Sequence, residues 1–76
     1  MEVYTIEYAP DGEHYSVFKK GKVGEMWDYF VMNRDIRETL MLCPQSKFRL
    51  RNLDTDRIIG ALKFDREKRE FLHLKE

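Results

Sequence analysis

Cysteine is nearly absent from this sequence: Cys43 stands alone. An intramolecular disulfide is therefore impossible, and a reducing compartment is the natural setting. With His14 and His73 it makes up the whole stock of nitrogen and sulfur ligands that attract zinc, and their spacing matches no zinc motif. Glycine and proline are scarce too. Of the four glycines, Gly21 and Gly24 complete neither a dinucleotide fingerprint nor a phosphate loop. No linker, repeat or low-complexity stretch occurs. No apolar run approaches the roughly 20 residues that span a bilayer. The opening MEVYTIEYAP has neither the basic start nor the apolar run of a signal peptide. The ending FLHLKE carries no lipidation signal. The expectation is a cytoplasmic protein with no membrane attachment.

An excess of either charge is missing as well. Lys plus Arg is 14 and Asp plus Glu is 14, for a formal net charge of zero. A strongly basic nucleic-acid binder would carry surplus cations, and a DNA mimic a surplus of anions. Both extremes are excluded, while local patches remain open.

The materials of catalysis are equally thin. Ser16 and Ser46 are the only serines, and neither sits in a nucleophile elbow. Cys43 follows Leu42 at the end of a helical stretch, where the helix dipole disfavours a thiolate. Asp54-Thr55-Asp56 offers two carboxylates where calcium takes six to eight oxygens, and hairpin-turn chemistry accounts for them. His73 beside Phe71 is an ordinary strand histidine. The reading assigns no catalytic residue, no metal and no cofactor, and takes the chain not to be an enzyme.

What is present is enough for a core. Hydrophobic residues are 42% and charged residues 37%, too apolar for disorder and too charged for a membrane protein. Seventy-six residues make one small domain, near the lower limit for independent folding. Self-association would add buried area to so short a chain.

Period-two alternation of Tyr4, Ile6 and Tyr8 predicts a strand over 2–9. Pro10-Asp11-Gly12 supplies a turn, and a return strand is predicted over 14–19. Lys19-Lys20-Gly21-Lys22 breaks the pattern. A helical segment is predicted from about Gly24 to Leu42, closed by Pro44. Its apolar residues form two sets. Val23, Trp27, Phe30, Val31 and Met41 gather on one side, and Tyr29, Met32, Ile36 and Leu40 on nearly the other. Either the helix breaks near Asn33, with Asp35 and Glu38 at capping-box spacing, or it is continuous and serves a sheet and a partner with different faces. We favour the break. Alternation of Phe48 and Leu50, of Ile58 to Phe64, and of Leu72 and Leu74 predicts a closing meander. The fold class is α+β, in the order β-β-α-β-β-β. A largely antiparallel five-stranded sheet carries one helical segment, bent or broken, on one face.

One helix cannot bury both its faces on one sheet. Tyr29, Met32, Ile36 and Leu40, rimmed by Arg34 and Arg37, are therefore the candidate partner-binding surface. The leading expectation is a small interaction module, an adaptor, inhibitor or modulator, bound to a protein partner or to a second copy. Such free-standing domains are common in bacteriophage and mobile-element genes. On this reading Ile36→Glu and Leu40→Glu remove binding and leave the fold intact. The runner-up is nucleic-acid binding by Lys47, Arg49 and Arg51, which share one face of a strand. Cross-strand acidic partners are the ordinary explanation of such a face, with Glu67, Glu70 and the Asp-rich turn as candidates. A small-ligand site lined by Arg and Tyr between protomers is a third reading.

Overall fold

The computed structural model describes residues 2–75, and of Leu74 and Lys75 the backbone alone. Strand β1 (Val3–Ala9) turns back into β2 (Ser16–Lys22). Asp11 holds the turn: its Oδ1 accepts the amides of Glu13 and His14, each at 2.8 Å. Those two bonds, with the His14 ring beside it, keep the Asp11 carboxyl well below the usual carboxylate range. Gly12 adopts a φ of 81°, and a Cβ there would stand 2.7 Å from the Gln45 carbonyl oxygen.

The lysine-rich stretch expected to interrupt β2 is part of it. As an edge strand, β2 leaves almost every side chain in solvent, so polarity along it carries no cost. The register shifts between Ile6, paired with Lys19, and Glu7, paired with Val17. Phe18 is the bulged residue, and its ring lies 5.3 Å from Phe48 and 6.4 Å from Tyr29.

Strand β2 runs directly into α1 (Val23–Met32), and α2 (Arg34–Leu42) follows after one residue. That residue, Asn33, is extended (φ −70°, ψ 127°). Its amide closes α1 on the Tyr29 carbonyl at 2.9 Å, and its Oδ1 accepts the Ile36 amide at 3.1 Å to open α2. The break is thus where the two apolar sets require it. The cap is one position pair earlier than the expected capping box. Asp35 sits inside the first turn, and Glu38 pairs with Arg34 at 2.9 Å. Arg37 donates to the Val31 carbonyl across the break and lies 5.0 Å from the centre of the Phe71 ring.

The break decides what is core. On a continuous helix the pairs Met26–Phe30 and Ile36–Leu40 would point roughly 80° apart. Re-aimed at Asn33, both pairs meet the same sheet face, where Ile6, Phe48, Leu50 and Leu62 complete the core. Ile36 and Leu40 are 0% exposed. The expectation that they form spare apolar surface is therefore overturned. Helix direction, not helix periodicity, places them.

Strands β3 (Lys47–Asn52), β4 (Arg57–Asp65) and β5 (Glu70–Lys75) finish an antiparallel sheet in the order β2-β1-β3-β4-β5. Both helices pack on one face, which matches the expected architecture except that the helical segment is two helices. The β3–β4 and β4–β5 loops are built alike. Asn52 Oδ1 accepts the amides of Asp54 and Thr55, and Asp65 Oδ1 those of Glu67 and Lys68. Each loop ends on a left-handed residue, Asp56 (φ 57°) or Arg69 (φ 55°).

Asn33→Ala is expected to cost about 1 kcal/mol in urea unfolding, the usual effect of losing a cap. Ile36→Glu should leave no folded protein by circular dichroism, whereas Met32→Glu should shift stability by less than about 0.5 kcal/mol.

Candidate functional site

Alternation along β3 sends Phe48 and Leu50 toward the helices and Lys47, Arg49 and Arg51 to the other face. No helix or strand packs on that second face among the described residues. It closes itself with charge. Glu7, on the neighbouring β1, is 7% exposed and accepts Arg49 Nε at 2.5 Å and Arg51 Nε at 3.0 Å. The Thr5 hydroxyl donates to the same carboxylate at 3.3 Å. Arg51 reaches on to Asp56 at 2.5 Å, and Arg49 lies 3.7 Å from the centre of the Tyr15 ring. The hydrogen bond to Asp56, then the Glu7 charge, raise the Arg51 pKa.

The two arginines proposed for nucleic acid are thus committed to two carboxylates. Of that trio only Lys47 makes no ion pair among the described residues. The Asp-rich turn does contribute, through Asp56. Glu67 and Glu70 take no part in these ion pairs, and Glu7 does what was expected of them. It escaped the sequence reading because strand order was not known: only β1 beside β3 brings positions 7 and 49 together.

The expected helical surface is divided. Ile36 and Leu40 belong to the core, and Tyr29 is half-buried, with the Lys19 ammonium 4.9 Å from its ring centre. Arg34 is paired on its own helix, and Arg37 braces the break. Met32 alone of the four apolar candidates is open to solvent, at 75%.

The spare apolar surface lies elsewhere, at the end of α2. Leu42 is 82% exposed and Met41 53%. With Pro44 they form one wall of a groove of about 710 Å³, whose other wall is the β4–β5 hairpin: Phe64, Arg66, Arg69 and Phe71. Phe64 and Phe71 are cross-strand partners, with ring centres 5.1 Å apart and edge to face. Among the described residues no acidic side chain lines this groove. Neither Arg66 nor Arg69 forms an ion pair among the described residues. A smaller depression of about 420 Å³ continues past Arg66 to Lys63, Asp65 and Glu67. The sequence marked 65–68 only as a charged turn. The signal for a site was the pair of phenylalanines flanking that turn at matched positions.

Cys43, half-buried, caps α2 and accepts the Ser46 amide and hydroxyl through its carbonyl. Among the described residues no three His, Cys, Asp or Glu side chains are grouped to hold a metal ion, and no helix is long and apolar enough to cross a membrane.

Glu7→Ala leaves Arg49 without a carboxylate and Arg51 with Asp56 alone, their side chains being 24% and 20% exposed. Because solvent screens them in part, the expected loss is about 1–3 kcal/mol, below that for a fully buried pair, read by urea unfolding. Family models, curated proteins and solved structures were all compared with this chain, and none matches it.

Proposed function

We propose that this protein is a small interaction module that binds a protein partner through the groove between the end of α2 and the β4–β5 hairpin. The observation that supports this most is Leu42, which stays 82% exposed beside Met41, Phe64 and Phe71, next to two arginines. Large apolar side chains gathered in a concave surface and rimmed by Arg have the composition of a recognition site. Phe64 and Phe71 pack against the core with their inner edges, whereas Met41 and Leu42 lie outside it, past Ile36 and Leu40 on the same helix. The site thus moves one turn along α2 from where the sequence put it, and the functional class stays the same.

The charge of the groove favours a different protein over a second copy. An isologous dimer through this surface would gather Arg66 and Arg69 of both protomers, four guanidiniums, into one interface. Like charges in a closing interface oppose association.

A photo-cross-linking amino acid in place of Leu42 should capture one defined protein in cells that make this chain. The same probe in place of Val17, 62% exposed on β2, is the control. Capture from Val17 and not from Leu42 would reject the groove. Met41→Ser/Leu42→Ser should abolish capture by a second probe in place of Arg66, while unfolding stability stays within about 0.5 kcal/mol of the parent.

A further inference from the structure

We infer that the groove takes an acidic peptide segment, one whose large apolar anchor fills the space beside Leu42 and whose adjacent carboxylates meet Arg66 and Arg69. This rests on the interaction reading above and gives the partner its chemistry.

Charge complementarity is the first ground. Two guanidiniums border an apolar groove with no carboxylate in its lining among the described residues, Asp65 and Glu67 lying in the depression beyond Arg66. Arginine is the side chain best suited to fork onto a carboxylate, and such bonds strengthen beside apolar walls that exclude water. The third arginine nearby, Arg37, is already held by the Val31 carbonyl and the Phe71 ring, so it steadies the wall and leaves recognition to the other two.

Backbone strain is the second ground. Arg69 is left-handed at φ 55°, a position that glycine or asparagine fills at little cost. The twin loop makes the comparison internal. Asp56 has the same conformation at the same loop position, and there an ion pair with Arg51 offsets it. Arg69 has no such partner among the described residues. An arginine at a strained position, lining the groove and without an ion pair among the described residues, fits a residue whose partner comes from outside.

The remaining lining argues for a peptide over a nucleic acid. Phe64 and Phe71 pack against one another, and Arg37 covers the Phe71 ring, so no pair of open ring faces offers a base a stacking platform. Met41, Leu42 and Pro44 suit an aliphatic or aromatic side chain.

A random library of peptides of about twelve residues, selected against the intact protein, tests this. Enriched sequences should place Asp or Glu close to Leu, Phe or Trp. The best of them, as a synthetic peptide, should weaken about tenfold or more with each of Arg66→Ser and Arg69→Asn. Its affinity should also fall as salt rises from about 50 to about 300 mM. Arg69→Asn should raise Tm while it weakens the peptide, a split that a purely structural arginine would not give. Leu42→Ser should abolish binding. Enriched peptides that lack acidic residues and ignore the arginine variants would overturn this inference and leave the groove standing. Peptides that ignore Leu42→Ser as well would overturn both. Displacement of the peptide by single-stranded RNA at lower concentration than by its own unlabelled form would also overturn it.

Discussion

The Asn33 carboxamide, holding the amide of Ile36, governs how this chain uses its central apolar residues. One extended residue ends the first helix and starts the second. The turn it makes sends Ile36 and Leu40 down into the sheet beside Met26 and Phe30. The same turn carries the next residues, Met41 and Leu42, past the end of the core to the rim. A straight helix would have spread the two core pairs over about 80° of its surface and set neither squarely on the sheet. Met41 and Leu42 form an exposed patch at the end of α2, and the β4–β5 hairpin stands opposite that patch.

The sheet solves its two faces by different means. One is covered by helices. No helix covers the other among the described residues. Arg49 and Arg51 lie over Glu7 and Thr5, so that long aliphatic stems shield the strands while the charges satisfy one another. That closure ties Arg49 and Arg51 to carboxylates. At the groove, Arg66 and Arg69 form no ion pair among the described residues. Basic residues thus do two jobs in the molecule, and only their partners tell them apart.

Much of the fold was legible because it rests on short-range physics. Alternation marks every strand, Pro10-Asp11-Gly12 and the Asp-rich turns mark the hairpins, and the conflict between two apolar sets marks the break at Asn33. Strand β2 was read too short, since alternation carries no information where both faces of an edge are wet. The position of the site was not legible. Assigning Ile36 and Leu40 to the core required knowing the angle between two helices, which no periodicity encodes. Finding Glu7 under Arg49 required the strand order. Phe64, Arg66, Arg69 and Phe71 are a plain charged hairpin in the sequence, and become a groove wall only once α2 ends beside them.

The division of apolar residues between core and rim is open to one direct measurement: methyl resonances of the protein in the presence of a soluble paramagnetic probe. The methyl groups of Met32, Met41 and Leu42 should broaden strongly, and those of Met26, Ile36 and Leu40 should stay sharp. Broadening at Ile36 and Leu40, or protection of Met41 and Leu42 in the monomer, would contradict the account at its root.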